Sequence, residues 1–274
     1  MKYILGGAFT AAIITASSAY AEKLPVYEIG IGPGAVYQNY YLGTSDTRSF
    51  VFPAIVPVVR GETFKSDEEG ARAQLFKDSK YKLDLSVDFN LAIDSEDIAL
   101  RQGMPDIDSV LQVGPSLQIS LDKKPGREWL VRLPLRVGAT IGSDFEAAGF
   151  TFSPDITYLR DLKFIGNYWR LGLSAGPQFG TSEYHDVYYG VDEEFATAER
   201  EAYDPDSGLS GYRFLATFTS KNRKRITSWF LRYENLSGAE IEDSPLVEQS
   251  GGFTVGFIYS VLLFKSKKLV EVND

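Results

Sequence analysis

A strict alternation of apolar and polar positions marks residues 127–142, REWLVRLPLRVGATIG. Every odd position from Trp129 to Ile141 is apolar, whereas the even positions include Arg132 and Arg136. Successive side chains of a β-strand point to opposite faces, so the alternation predicts a strand and excludes an amphipathic helix. In a soluble barrel the apolar stripe would point inward, whereas in an outer-membrane barrel it faces lipid and the arginines face the lumen.

The same alternation recurs in three further segments, residues 81–93, 111–121 and 251–264. Each of these runs continues for about a dozen residues, whereas an ordinary globular strand has ~5 to 6 residues and a tilted membrane-crossing strand needs ~9 to 11. Strand length therefore favours an arrangement in which the apolar face contacts lipid and Arg132 and Arg136 lie in the lumen.

Short and long connections alternate between these strands. The short ones fall at residues 78–80, 122–127, 161–167 and 220–225, and the long ones at 38–49, 94–109, 181–209 and 237–250. Periplasmic turns and extracellular loops of an outer-membrane barrel alternate in this way. Four aromatic residues follow the short turns closely, and we predict that they form a ring at the membrane interface: Tyr81, Trp129, Trp169 and Trp229.

The number of strands follows from parity. Eleven strands are clear, and a weaker one near residues 62–66 would make twelve, which satisfies the even count of a single-chain bacterial barrel. The predicted fold class is therefore all-β, a single antiparallel transmembrane β-barrel of about 12 strands, with 10 as the alternative. One barrel domain covers residues 22–274, and its last ten residues, 265–274, form a polar C-terminal tail.

The first 21 residues, MKYILGGAFTAAIITASSAYA, predict a secretory signal peptide that is cleaved after Ala21. An N-terminal anchor is the alternative, but its apolar run is shorter than the ~20 residues that a spanning helix needs. We therefore expect export to the outer membrane of a Gram-negative cell. The chain has no cysteine, which excludes disulfides and thiolate chemistry, and its net charge of −9 argues against nucleic acid as a partner.

Catalytic, metal and cofactor chemistry has little support. The single histidine, His185, lies in the longest loop near Ser182, Glu183 and Asp186, and we interpret it as an exposed loop residue because triads depend on spatial geometry. The acidic run at 192–194 does not have the spacing of an EF-hand loop. The glycines of IGIGPGAVY resemble a nucleotide fingerprint, but no helix follows them. We predict no enzyme activity, no metal and no cofactor.

The predicted lumen receives charged side chains of both signs. If the apolar stripes face lipid, the lumen-facing candidates are Lys82, Asp84, Asp88, Arg132, Arg136, Arg170 and Arg232. A barrel of about twelve strands is intermediate between small filled barrels and open porins. These charges therefore either pair with one another and fill the interior or line a narrow wet channel, and both interpretations stay open here.

Five segments resemble one protein family: YLGTSD (41–46), VPVVRG (56–61), RQGMPDIDSVLQVGP (101–115), YYGVDEEFATAEREAYDPDSG (188–208) and NLSGAEIEDSPLV (235–247). Together they are similar to the MipA/OmpV family of Gram-negative outer-membrane proteins. We interpret the motif residues as shaping loops or plugging the barrel mouth, with partner binding as the alternative. They are Arg101, Gly103, Met104, Pro105, Asp106, Asp108, Gly114, Pro115, Tyr189, Gly190, Val191, Asp243, Ser244, Pro245 and Leu246.

The resemblance implies an outer-membrane β-barrel surrounded by lipid. The member that gives the family its name is a scaffold that binds a lytic transglycosylase and helps to bring it to a bifunctional penicillin-binding protein. We therefore predict a scaffold of the cell envelope that links murein hydrolase and synthase through its periplasmic turns and tail. A narrow porin-like channel or an adhesin is the alternative, and an enzyme that uses His185 ranks below both.

Overall fold

The computed structural model describes residues 22–59, 64–67, 70–78, 80–142, 145–164, 166–222 and 224–272. The predicted signal peptide, residues 1–21, lies outside them. The described residues form fifteen β-strands: β1 (Glu22–Pro25), β2 (Tyr27–Asn39), β3 (Thr47–Val59), β4 (Phe64–Asp67), β5 (Gly70–Lys77), β6 (Tyr81–Asn90), β7 (Ser109–Lys124), β8 (Arg127–Ile141), β9 (Ala147–Phe152), β10 (Asp155–Phe164), β11 (Asn167–Gly180), β12 (Gly208–Lys221), β13 (Arg225–Asn235), β14 (Gly251–Lys265) and β15 (Leu269–Val272). One helix, α1 (Ser182–Tyr189), follows β11, and single 3₁₀ turns cover Ser95–Asp97, Ala99–Arg101 and Glu193–Phe195.

Thirteen of these strands form one antiparallel sheet, and the predicted all-β class is confirmed. Strands that follow one another in the chain are mostly neighbours, and β2 pairs with β14, so the first and last long strands meet. The order runs from β3 through β2 and β14 back to β4. The strand count of twelve stays a prediction, because residues 60–63 between β3 and β4 lie outside the described residues.

One of the eleven strands counted in the sequence, residues 149–160, is two strands in the structure. β9 and β10 lie one after the other, and both pair with β8 on one side and β11 on the other. Ser153 and Pro154 separate them. Proline has no backbone N–H to give to a ladder, so the strand is interrupted at this point, which the alternation of side chains does not reveal.

Side chains of β8 alternate between an exposed outer face and a covered inner face. Trp129, Leu135 and Val137 are 40%, 48% and 44% exposed, whereas Leu130 is 5% exposed and Pro134 is buried. Exposed apolar side chains are costly in water and favourable in lipid, so the outer face suits the membrane. The register shift between β7 and β8 lies between Ser120 and Asp122, opposite Leu130 and Trp129, and not at Pro134, which pairs with Ser116.

Three long strands carry a Gly-Pro dipeptide at which a neighbouring backbone lies very close. They are β2, β7 and β11, and the dipeptides lie at residues 32–33, 114–115 and 176–177. A side-chain carbon on these glycines would overlap a backbone carbonyl oxygen of the adjacent chain segment, that of Tyr259, Leu135 or Pro154 respectively. Only glycine lets a neighbouring backbone approach so closely, so any larger residue at these positions would push the two chain segments apart.

Both ends of the described chain lie at the end of the sheet that carries the short turns, here called the short-turn end. β1 and β15 pair there as a separate two-stranded sheet, and Val26 N–H donates to the Lys268 carbonyl at 2.9 Å. Part of the predicted polar tail is therefore an ordered strand, because Leu269–Val272 carries residues that favour β-structure. The opposite end, with the long connections, is the long-loop end.

The predicted interfacial aromatic residues all lie near the short-turn end. Tyr81, Trp129 and Trp229 are 42%, 40% and 49% exposed. Trp169 is half-buried and stacks on Phe218, with ring centroids 4.3 Å apart. No helix in the described part of the chain is both long enough and apolar enough to cross a membrane.

Candidate functional site

The long loops pack together over the long-loop end of the sheet. Residues 40–46, 91–108, 181–207 and 236–250, here called the cap, share one hydrophobic core. Its buried side chains come from every one of these loops: Tyr41, Ile93, Ile98, Ile107, Tyr188, Tyr189, Val191, Leu236, Ala239, Ile241 and Leu246. Loops that bury apolar side chains against one another form an ordered unit, so the cap is a small folded layer on the barrel.

Arg101 ties two parts of the cap together. It is 4% exposed, and its guanidinium donates to Ser95 Oγ at 3.1 Å, to the Pro105 carbonyl at 3.2 Å and to the Tyr188 carbonyl at 3.4 Å. The last of these bonds reaches α1 from a loop 87 positions earlier in the chain. A rigid planar donor suits this task, because one side chain satisfies several buried carbonyl oxygens.

Arg200 also joins two segments of the cap through hydrogen bonds, and the sequence analysis did not single it out. It donates to the Leu100 carbonyl at 2.7 Å, to the Gln102 carbonyl at 3.2 Å and to the Phe195 carbonyl at 2.8 Å. Segments 91–108, 181–207 and 236–250 are rich in acidic residues, and Arg101 and Arg200 are their only lysines or arginines. That isolation was a signal in the sequence that these two side chains have a particular role.

The GMPD motif shapes the loop that contains Arg101. Gly103 has a φ of 78°, a conformation that favours glycine, and its N–H donates to Glu96 Oε1 at 3.2 Å. Asp106 accepts from the Ser95 N–H at 2.8 Å, and Met104 packs against the cap core. The next aspartate, Asp108, is half-buried just before β7.

The DSPLV motif packs on the helix loop. Ser244 donates to the Tyr189 carbonyl at 2.8 Å, and Tyr41 donates to the carbonyl of the fully buried Leu246 at 2.8 Å. Gly190 donates its N–H to the Asp186 carbonyl and ends α1, after which Val191 pairs with Tyr203. In the same motif, Asp243 is exposed and Pro245 is half-buried.

His185 is buried, so our prediction of an exposed loop histidine was wrong. Nδ1 lies 2.7 Å from the Asp206 carbonyl oxygen and Nε2 lies 2.6 Å from Ser210 Oγ. The carbonyl can only accept, so Nδ1 carries the proton and Nε2 accepts from the hydroxyl of Ser210. The neighbouring carboxylates, Glu183 and Asp186, are exposed. α1 turns His185 inward, and no amphipathic pattern in the sequence would have revealed this helix.

Acidification is expected to loosen the cap through His185. Burial lowers its pKa below the ordinary value of 6.5, so the folded state holds the neutral form. The stability that this gives is complete above pH 6.5 and is lost as the pH falls below it, because the unfolded state then binds the proton more readily. The hydrogen-exchange protection factors of residues 181–207, which correct for slower intrinsic exchange at lower pH, should therefore fall between pH 7.5 and 5.5. In His185→Gln this fall should be absent, and an equal fall in both proteins would contradict the assignment.

A cavity of about 680 Å³ lies beneath the cap. The underside of the cap contributes Tyr184 and Tyr188 to its wall, and strands β3 and β13 contribute Phe52 and Phe230. A second cavity of about 500 Å³ extends along the strand interior and shares part of the same wall. The interior thus contains open space between the cap and the short-turn end.

Charged side chains of the interior form several ion pairs. Arg132 Nε lies 2.9 Å from Asp155, and Glu234 accepts from Arg213 at 2.7 Å and lies 3.2 Å from Arg232. The sequence analysis did not include Arg213 or Glu234, although Arg213 alternates with outward Tyr212 and Phe214.

The remaining lumen-facing candidates are spread along the same face. Asp88 and Arg136 line both cavities, and Asp84 lines the second cavity. Asp84 pairs with Lys82 at 3.2 Å, and Arg170 pairs with Asp161 at 2.8 Å. Neither Lys82 nor Arg170 lines either of these two cavities. Among the described residues, no group of three or more histidine or carboxylate side chains is placed to hold a metal ion.

Comparison with known proteins gives matches along most of the chain. Residues 31–261 match the family described as "MltA-interacting protein MipA". "Outer membrane protein Omp26La" of Vibrio anguillarum and "Outer membrane protein OmpV" of Vibrio cholerae serotype O1 are each 31% identical over 85 residues, which is 30% of this chain and 32% of each relative. The matched part thus spans about a third of the length of these curated relatives. A solved "Bacterial polysaccharide outer membrane secretin" is similar with a TM-score of 0.41 and 10% identity, over 88% of this chain and 99% of that chain.

Proposed function

The chain belongs to the MipA family of outer-membrane proteins, and from this premise we propose that it is a non-catalytic interaction protein that binds a lytic transglycosylase of the murein layer. The observation that carries the proposal is the length of the family match, residues 31–261, since the family is described by its interaction with MltA, a lytic transglycosylase. A bifunctional penicillin-binding protein is the proposed second partner, so that hydrolase and synthase meet at one scaffold.

The packed cap supports an interaction role over a transport role. Open porins leave an aqueous passage along the barrel axis, whereas here the cap core and the Arg101 and Arg200 ties cover the long-loop end. His185 and Ser210 are held against each other, but a backbone carbonyl takes the place of the acid of a catalytic triad. We therefore assign the histidine to the attachment of α1 to β12.

The short-turn end is the proposed contact surface, because its position suits periplasmic partners. An exposed basic side chain is present in each short turn and beside the tail strand: Lys80, Lys124, Lys163, Lys224 and Lys268. The cap at the opposite end is acidic, so the two ends differ in charge although the whole chain is negative. Complementary charge steers partners to one surface, which favours an acidic patch on the transglycosylase.

The test is binding of the purified lytic transglycosylase to the immobilised full-length protein. Reversing charge with Lys123→Glu and Lys124→Glu should weaken this binding about tenfold. The two side chains are 66% and 63% exposed, so the change should leave the fold intact. Glu193→Lys with Glu194→Lys is the matched control, since it reverses two exposed charges in the cap. Failure of the unmodified protein to bind, or equal loss in both variants, would overturn the proposal.

A further inference from the structure

The cavity beneath the cap carries an excess of positive charge. Its wall contains four arginines, Arg48, Arg136, Arg213 and Arg232, but only two carboxylates, Asp88 and Glu234. Cations enclosed by low-dielectric walls attract anions more strongly than cations on an open surface do. The charge of the wall therefore favours an anionic occupant.

Ion pairs inside the wall neutralise only part of this charge. Glu234 is shared, since one of its oxygens accepts from Arg213 at 2.7 Å and the other lies 3.2 Å from Arg232. Arg136 donates Nε to Ser86 Oγ at 2.9 Å, and among the described residues no carboxylate lies within ion-pair distance of it. Its two terminal nitrogens make no hydrogen bond to any residue that the structure describes, and Arg136 lines both cavities. A guanidinium in this setting is suited to bind a carboxylate or phosphate with two hydrogen bonds.

Aromatic rings make up the rest of the wall near these arginines. Phe230 lines both cavities and lies against Gly256 of β14, and Phe52 lies against Gly34 of β2 in the same manner. The glycines leave room for both rings against the sheet, where the two side chains line the cavity. Such surfaces bind apolar or ring-shaped parts of a ligand, and the adjacent arginines fix its orientation.

We propose that the cavity beneath the cap binds a small organic anion, with its carboxylate or phosphate on Arg136 and its apolar ring against Phe230. The cavity volume of about 680 Å³ lies within the ~300–1,000 Å³ that ligand sites usually have. The site is separate from the short-turn surface, so it does not depend on the proposed protein partner. The basic short-turn end also favours approach of an anion from that side, because the cap is acidic.

The experiment measures binding of fluorinated probes by ¹⁹F NMR to the full-length protein in phosphatidylcholine nanodiscs, with empty nanodiscs as the blank. The anionic probes are 4-fluorobenzoate and 4-fluorophenyl phosphate, and the neutral and cationic probes of the same shape are 4-fluorobenzyl alcohol and 4-fluorobenzylamine. We expect at least one anion to bind about tenfold more tightly than the other two charge types. The stronger of the two anions identifies carboxylate or phosphate as the preferred group.

Arg136→Gln should weaken binding of the anion about tenfold, while Arg170→Gln should leave it unchanged, because Arg170 lines neither cavity. Heat-modifiable migration on a gel checks that each variant is folded. Equal binding of all four probes to the unmodified protein would overturn the proposal without any variant. Retained anion binding in folded Arg136→Gln would overturn it too, whereas loss restored in part by Arg136→Lys would support it.

Discussion

Gly114→Ala is expected to prevent stable assembly of the barrel, at a cost above ~3 kcal/mol. The added carbon would overlap the carbonyl oxygen of Leu135, which belongs to the backbone of β8 and is fixed by its ladder. Overpacking against a flexible side chain can be relieved by a rotamer change, but overlap with a neighbouring backbone requires that a strand move. The midpoint of urea unfolding, measured after refolding in detergent, should fall sharply or become unmeasurable.

A matched glycine provides the control for this experiment. Gly166 lies in a short turn with a φ of 74°, and no atom lies within 4 Å of the position that its side-chain carbon would take. Gly166→Asn should cost no more than about 1 kcal/mol, since asparagine tolerates this conformation. If Gly114→Ala refolds with an unchanged midpoint, the close approach of the β8 backbone does not require glycine at this position.

Arg101→Ala should loosen the cap while the sheet remains folded, because Arg101 joins two segments of the cap. The substitution removes three hydrogen bonds from a buried cation and leaves the carbonyls of Pro105 and Tyr188 without this partner. Bonds to charged groups are worth ~1.5–3 kcal/mol each, so a local loss of about 3 kcal/mol is expected. Limited proteolysis should then cut within 91–108 and 181–207 at least 100-fold faster, while heat-modifiable migration persists.

Gln102→Ala tests whether this effect is specific to the arginine. The Gln102 side chain is exposed, and its backbone carbonyl, which accepts from Arg200, is not altered by the change. Protease sensitivity should therefore match the unmodified protein. Arg101→Lys should remain sensitive, because a lysine has no planar fork to reach three acceptors. Full protection in Arg101→Ala would show that the hydrophobic core alone holds the cap.

The sheet was largely predictable because membrane strands impose a period of two over long runs. The phase of residues 129–141 placed Leu135 and Val137 on the exposed face, where the structure has them. The break at Pro154 was not predicted, because alternation continues on both sides of it. The close backbone approach at Gly114 was equally hidden, since it depends on which atom of the neighbouring strand lies opposite the glycine.

The sequence indicated where the cap lies, but the three-dimensional packing of the cap could not be predicted from it. Long loops and the motif around Arg101 marked the region, yet the packing of α1 against other loops depends on contacts between distant segments. His185 shows the difference, because its place in the longest loop suggested exposure, whereas it is buried against Asp206 and Ser210. Burial inside a layer of loops has no periodic signal in the chain.

The seam between β2 and β14 has a kinetic consequence. Asn39 and Phe253 meet across it although they are 214 positions apart, so chance encounter of the two strands carries a loop-closure entropy that grows with the logarithm of that length. The β1 and β15 strands pair directly beside this seam, and Ser266 N–H donates to the Tyr27 carbonyl at 2.9 Å. Once this small sheet has formed, each further pair closes only a short loop. Pairing of β2 with β14 can then proceed residue by residue from the short-turn end, as in an ordinary hairpin.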